Sequence, residues 1–315
     1  MSKKIIAVAG ATGAQGGGLV RAILADTSSE FAVRALTRNA DGEKAKALAR
    51  LGAEVVAADF DSRADLERAF DGAYGAFLVT NFWEHFSPAK EQAQARAMAH
   101  AAADARLEHV VWSTLEDTRL RVPVSDPRMP TLQGNYKVPH MDAKGEANQF
   151  FRDLGVPTTY LHTSFYWDNL ISFGMGPKKG PDGRLVFTLP MADKKLPGIA
   201  VADIGKCAYG VLKGGADYIG KSVGVAGEHL TGAQMAAELG KALGQEVVYQ
   251  VVTPAAYRGF GFPGAEDLGN MFQYKAEFEA EFCGARDLTV ARTLNPELQT
   301  FRQWLAANKR NIPLS

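Results

Sequence analysis

Three scarcities narrow what this chain of 315 residues can be. Its two cysteines, Cys207 and Cys283, lie too far apart in sequence for a disulfide framework or a metal-ligand motif, so we expect two buried thiols and no metal site. Charge of one sign is not in excess, because 35 Lys and Arg residues face 35 Asp and Glu residues. No apolar run approaches the roughly 20 residues of a membrane-spanning helix. We therefore expect neither a nucleic-acid partner, which needs a basic surplus, nor a membrane segment.

The remaining composition is that of an ordinary globular protein, with 46% hydrophobic and 22% charged residues. A chain of this length forms one large domain or two smaller ones, each able to bury a core. Glycine breaks the N-terminal apolar run within a few residues, which does not suit a secretory signal. We expect a cytoplasmic protein.

The first half of the chain alternates short apolar runs with segments of helical periodicity, a pattern typical of a parallel sheet with crossover helices. Helix start signals agree, since Ser62, Pro88 and Pro139 each stand where a helix should begin. The predicted fold is α/β, a doubly wound parallel sheet of the Rossmann type with a smaller C-terminal α/β lobe. Strands are predicted at 5–9, 32–36, 54–58, 76–79, 110–113 and 158–161, and helices at 15–24, 43–51, 64–70, 89–106 and 140–154.

The alternation weakens after residue 165, which indicates a second lobe. We expect a Rossmann domain over 1–165, to which 195–226 returns, and a smaller substrate or partner lobe over 166–194 and 227–315. Phe278 and Phe282 stand four apart among glutamates, which predicts one amphipathic helix. An apolar cleft, a core or an oligomer face are all open interpretations for the residues Phe260, Phe262, Met271, Phe272 and Tyr274.

The first strand leads into a glycine-rich turn, with Gly10, Gly13 and Gly16 at intervals of three before a helix. Glycines permit a tight turn, and the backbone N–H groups at a helix N-terminus favour a pyrophosphate. Such a turn can also serve strand-to-helix packing alone. The strands and helices predicted after it are what favour a binding site. We expect a dinucleotide here, with Thr12, Ala14 and Gln15 along the diphosphate.

The end of the second strand indicates which dinucleotide binds. NAD-binding domains place a carboxylate there for the ribose 2′-hydroxyl, whereas this chain has Arg38 and no adjacent acid. A guanidinium pairs with a 2′-phosphate, which we favour over the alternative that Arg38 is a solvated charge at the end of the strand. The sequence thus predicts NADP(H). Asp59 and Phe60, after the third strand, are expected at the adenine ring.

Five stretches together resemble the NmrA-like family of atypical short-chain dehydrogenase/reductases: GATGAQGG, the basic end of strand two, ADFD, VTNFWE and PHMDAKGEANQFFRDLGVP. The similarity runs through nearly the whole chain. It implies a Rossmann fold, NADP(H) binding and, in several members, a redox-sensing or regulatory role, whereas other members resemble true reductases.

The resemblance also implies roles for individual residues. Thr80 and Asn81 would face the cofactor ribose, and Phe82 would extend that wall unless it is a packing aromatic. Lys144 would bind the nicotinamide ribose. The chain would pass the nicotinamide at Phe165 and Tyr166.

Reductases of this superfamily carry Tyr four residues before Lys on one helix face, but His140 takes that place before Lys144. The departure argues against ordinary ketone reduction. An imidazole can donate a proton near neutral pH, so His140 could be the general acid, or it could be a solvated histidine at a helix start. Tyr136 and Tyr166 are other hydroxyl candidates.

Because the tyrosine is missing, the sequence favours an NADP(H)-binding redox sensor or regulatory protein. The alternative is an NADPH-dependent reductase of a quinone, enone or imine, in which Lys144 stays essential. The partner would be a small-molecule substrate or a regulated protein, and a homodimer is possible.

Arg38→Ala should weaken NADPH binding by about tenfold, which corresponds to about 1.4 kcal/mol, because the variant loses the pairing with the 2′-phosphate. Fluorescence titration with NADPH measures this change. An unchanged affinity would contradict the assignment of Arg38.

Overall fold

The structure is a computed structural model that describes residues 2–314. Its strands are β1 Lys4–Val8, β2 Phe31–Thr37, β3 Glu54–Ala57, β4 Gly75–Leu78, β5 His109–Thr114, β6 Thr158–His162, β7 Phe165–Tyr166, β8 Lys178–Lys179, β9 Leu185–Leu189, β10 Lys195–Ile199, β11 Ser222–Gly224, β12 Glu228–Thr231 and β13 Val247–Val251. Its α-helices are α1 Ala14–Ala25, α2 Glu43–Arg50, α3 Arg63–Phe70, α4 Phe82–His85, α5 Pro88–Asp104, α6 Pro139–Asp153, α7 Asn169–Ser172, α8 Val201–Gly214, α9 Gly232–Leu243, α10 Pro254–Arg258, α11 Ala265–Glu277, α12 Glu279–Gly284, α13 Leu288–Leu294 and α14 Phe301–Asn308.

Seven strands form one parallel sheet in the order β3-β2-β1-β4-β5-β6-β11. The direction of winding reverses between β1 and β4, the point at which doubly wound sheets bind their ligands. The predicted Rossmann-type fold is confirmed, and the six predicted strands and five predicted helices agree with it to within one or two residues at each end.

Helices cover both faces of this sheet because successive side chains of a strand point in opposite directions. Ile6 and Val8 of β1 pack towards α1 and α8, whereas Ala7 and Ala9 pack towards α3, α5 and α6. Alanine on the second face leaves room for Trp112 and Phe151, which are fully buried there. Because all seven strands are parallel, their carboxyl ends lie together at one edge of the sheet.

Two three-stranded sheets lie beside the main sheet, in the orders β12-β10-β7 and β13-β9-β8. They enclose a third core with Trp167, Phe187 and Trp304. Strand β10 thus pairs with β7 and β12, whereas α8 packs on α1 and β11 joins the main sheet. The C-terminal part is α/β, as the sequence predicts.

Two expectations for the C-terminal part are wrong: a continuous helix around Phe278 and a buried Cys283. The single helix around Phe278 and Phe282 is interrupted, because Phe278 leaves helical geometry with φ −112° and ψ 38° between α11 and α12. Cys207 is buried, but Cys283 is partly exposed. The five residues considered for an apolar cleft separate, since Met271, Phe272 and Tyr274 lie in the core while Phe260 and Phe262 are exposed.

Gly205→Ala should lower the free energy of unfolding by about 1–3 kcal/mol, because α1 and α8 touch where both carry glycine. A Cβ on Gly205 would lie 2.2 Å from the carbonyl carbon of Gly18. Urea denaturation measures the loss, with Gly284→Ala as a control, since a Cβ there meets nothing within 4 Å. Equal stability of the two variants would contradict this packing.

Candidate functional site

The glycine turn lies at the switch point of the sheet, and each of two glycines has a physical reason. Gly10 adopts a left-handed φ of 61°, and a Cβ on Gly16 would lie 2.5 Å from the carbonyl oxygen of Ala9. The close approach brings the N-terminus of α1 to the edge of the sheet, where Gly13 and Ala14 are exposed and Thr12 is half-buried. The first amides of a helix have no partner within the helix, so this turn can hold an anion.

Gln15 ties the start of α1 to two residues of other strands, Ser113 of β5 and Tyr166 of β7. Its amide nitrogen donates to the Tyr166 hydroxyl at 2.7 Å, and its oxygen accepts from the Ser113 hydroxyl at 2.7 Å. Thr163 Oγ1 lies 3.3 Å from the same phenol. Burial raises the pKa of Tyr166, so its hydroxyl stays protonated at neutral pH. Gln15 therefore positions Tyr166, which remains a possible proton donor.

Lys144 projects from α6 to the end of β4. Its ammonium donates to the Thr80 carbonyl at 3.0 Å and to the Thr80 hydroxyl at 2.7 Å. The Glu91 carboxylate on α5 lies 2.5 Å from the ammonium and also accepts from the Thr80 hydroxyl at 2.5 Å. Glu91 is fully buried, whereas Lys144 keeps 12% of its side chain exposed. Glu91 thus neutralises the ammonium, while part of the Lys144 side chain stays accessible to solvent.

Sequence reasoning missed Glu91, although an acid on the buried face of the alanine-rich helix α5 was a usable signal. Its second oxygen, Oε2, has no hydrogen-bond partner among the described residues and lies 3.5 Å from His85 Nε2. Burial lowers the pKa of His85, so this imidazole is neutral at pH 7. In the part of the chain that the structure describes, Glu91 is the only acidic residue in direct contact with Lys144.

His140 is held rigidly at the start of α6. Its Nδ1 lies 2.5 Å from the Asp267 carboxylate, which also accepts from the His140 backbone N–H at 3.1 Å. The Trp83 ring centroid lies 4.9 Å from the imidazole. Since His140 is only 6% exposed, the interpretation as a solvated histidine is wrong. Asp267 comes from α11, far along the chain, and no sequence signal marked it.

Arg38 is exposed at the end of β2 and forms a bidentate pair with Glu84 of α4. The pair lowers the pKa of the Glu84 carboxyl and raises the pKa of Arg38. No acid adjoins Arg38 in sequence, as noted above, but the fold brings a carboxylate to it from α4.

The other predicted site residues divide between edge and core. Asp59 and Asn81 are exposed beside β3 and β4, and Phe60 is half-buried. Phe82 is 2% exposed and Phe165 is 4% exposed, with the Phe165 ring 6.3 Å from that of Phe272. Both rings therefore pack into the protein.

A second buried ion pair lies past the ends of β5 and β6. The fully buried Arg286 guanidinium donates to the Glu116 carboxylate at 2.7 and 3.0 Å. Burial opposes ionisation of Glu116, but Arg286 and His162 hold its pKa well below the usual range. Burial also lowers the pKa of Lys275 nearby to about 7. Sequence reasoning missed this cluster, because its members lie far apart along the chain.

Across residues 2–314, no helix has the length and hydropathy needed to cross a membrane. The same residues contain no group of three or more His, Cys, Asp or Glu side chains suited to holding a metal ion.

Sheet order and the glycine turn at the switch point together define an α/β protein of the Rossmann type. A family model described as the NmrA-like family matches residues 2–305. The chain belongs to the NmrA-like family.

Relatives and solved structures extend along nearly the whole chain. The NmrA-like family domain-containing oxidoreductase ptmS of Penicillium ochrochloron is 26% identical, covering 97% of this chain and 98% of the relative. The negative transcriptional regulator NmrA in complex with NADP has a TM-score of 0.77 at 24% identity, covering 97% of this chain and 95% of that one. Citrobacter sp. triphenylmethane reductase complexed with NADP(H) has a TM-score of 0.75 at 19% identity, covering 97% and 99%. The two structural similarities show a shared fold.

Glu91→Gln should lower the free energy of unfolding by about 2–3 kcal/mol, because it leaves the Lys144 ammonium without its carboxylate. Thermal or urea denaturation measures the loss. Glu43→Gln is the control, since Glu43 pairs with Lys46 at the surface and should change stability by no more than about 0.5 kcal/mol.

Adding Lys144→Met to Glu91→Gln should recover part of the lost stability, since no ammonium then remains uncompensated. Additive losses in the double variant would contradict the direct coupling of the two side chains.

Proposed function

We propose that this chain binds NADP(H) at the carboxyl edge of its main sheet and is an NADPH-dependent reductase of a small quinone, enone or imine. The observation that carries the proposal is the contact between His140 and Asp267, one helical turn before Lys144. It provides an oriented proton donor at the position where the superfamily carries tyrosine. The oxidoreductase name of the Penicillium relative supports the same class of activity.

The residues at the edge fit the cofactor in three places. The exposed first turn of α1 would hold the pyrophosphate, and the close approach at Gly16 leaves no room for a side chain between strand and helix. Lys144 would donate to the nicotinamide ribose while Glu91 and Thr80 hold its ammonium. Arg38 would bind the 2′-phosphate. NmrA and triphenylmethane reductase, both crystallised with NADP(H) or NADP, support this choice of cofactor.

NADPH, when bound, supplies a hydride, and this chain must supply the proton. Asp267 takes the hydrogen bond of His140 Nδ1, which fixes the tautomer and leaves Nε2 to exchange a proton. The residues Phe82 and Trp83 pack around the imidazole and limit its contact with water. Reduction of a quinone, enone or imine needs a proton in addition to the hydride, and His140 would donate it.

A regulatory, redox-sensing role is the second candidate. The short helix α4 carries both Glu84, which pairs with Arg38, and Trp83, which packs on His140. A cofactor bound at Arg38 would therefore alter the contacts of α4, the helix that also packs on His140. Such a coupling between cofactor site and His140 would suit a sensor. The structural similarity to a negative transcriptional regulator supports this candidate. A regulated protein would then replace the small-molecule substrate.

NADPH oxidation should proceed with at least one member of a panel of quinones, enals and cyclic imines, and Lys144→Ala should abolish it. His140→Asn should lower kcat by about 10²- to 10⁴-fold, because the positioned acid is lost. Absorbance of NADPH measures both rates. Glu43→Gln is the control variant and should leave turnover unchanged.

Asp267→Asn should lower kcat while leaving NADPH affinity near that of the wild type, because Asp267 positions His140 and is not among the residues proposed to bind the cofactor. Absence of turnover in a protein that binds NADPH would contradict the reductase and favour the sensor.

A further inference from the structure

We infer that Glu84 determines how strongly this chain prefers NADP(H) over NAD(H). The inference rests on the proposed cofactor site and concerns one residue that no sequence motif marks. Arg38 is the side chain expected to bind the 2′-phosphate, and Glu84 already occupies both arms of its guanidinium. A 2′-phosphate would therefore compete with this carboxylate for the Arg38 guanidinium.

The fold fixes the position of Glu84. Only three residues separate the end of β4 from α4, and the first residue of the helix, the buried Phe82, anchors it in the protein. The helix ends at Phe86, whose backbone N–H donates to the Phe82 carbonyl at 2.7 Å. Gln133 donates to the Phe86 carbonyl at 3.1 Å and ties the end of this helix to the long loop before α6. Glu84 is thus held against Arg38 by structure on both sides.

The charges around Arg38 suit a ribose 2′-hydroxyl as well as they suit a 2′-phosphate. Asp59 and Asp61 both contribute to the raised pKa of Arg38, and Lys90 lies 3.0 Å from Asp61. The formal charge of this group is two positive against three negative, counting Glu84. Without Glu84 the group would be neutral and would oppose a 2′-phosphate less.

Glu84 also provides the carboxylate that the end of β2 lacks. In NAD-binding domains a carboxylate at this place accepts a hydrogen bond from the ribose 2′-hydroxyl. Glu84 can give the same contact to NAD(H), because its oxygens lie beside Arg38 at the end of β2. Arg38 therefore favours the 2′-phosphate of NADP(H), whereas Glu84 favours the 2′-hydroxyl of NAD(H). The pairing between the two side chains reduces the difference in affinity between the two cofactors.

The effect should be modest because the pair is exposed. Arg38 keeps 65% and Glu84 keeps 44% of their side chains accessible to solvent. Exposed pairs are screened by water and salt, so the preference should change by several-fold and depend on ionic strength.

Glu84→Gln should tighten NADPH binding by about three- to tenfold and weaken NADH binding slightly, and the gain should shrink in high salt. Titration of NADPH and NADH, each followed by nicotinamide fluorescence, measures both dissociation constants without any turnover. Glu238→Gln is the matched control, since it removes the same charge from a second bidentate pair, with Arg302 at 2.9 and 3.0 Å, away from the glycine turn.

An unchanged ratio of the two dissociation constants in Glu84→Gln, with both cofactors still bound, would overturn the role of Glu84 and leave the proposed function intact. Equal tightening of both cofactors would also overturn it, since that result requires only a change in net charge. Failure of the wild-type protein to bind either cofactor would instead overturn the proposed function.

Discussion

The close contact between β1 and α1 is the constraint on which the candidate site depends. Gly16 lets the helix approach the Ala9 carbonyl, and Gly205 lets α8 approach the same helix at Gly18. Helix α1 is thereby fixed between strand and helix by backbone contacts that no larger residue permits. This fixed position directs its N-terminus to the switch point and brings Gln15 to Ser113 and Tyr166.

Three paired carboxylates organise the rest of the site. Glu91 holds Lys144, Asp267 holds His140, and Glu116 holds Arg286. Two of these pairs join residues of the first half of the chain to α11 or the segment after α12. Because an unpaired buried charge is costly, these pairs also fix how the later helices sit on the sheet. Fold and candidate chemistry thus rest on the same contacts.

The sequence was sufficient wherever the signal is local. Strand and helix periodicity predicted the main sheet, and the glycine spacing predicted the turn at its switch point, because both depend on neighbours along the chain. Glu84, Glu91 and Asp267 escaped prediction because each meets its partner only after folding. The small sheets escaped for the same reason, since β9 pairs with β13 across some sixty residues of chain. The interruption at Phe278 shows that periodicity predicts which residues of a helix share a face, but not whether the helix is continuous.

The central claim is that NADPH lies along the carboxyl edge, from the glycine turn to Lys144. Amide hydrogen exchange, measured with and without NADPH, tests this placement directly. The account predicts slower exchange at residues 10–17, at 80–84 and in the first turns of α6. Exchange at the amino ends of the strands, on the opposite edge of the sheet, should be unchanged. Protection confined to other segments, or none at saturating NADPH, would contradict it.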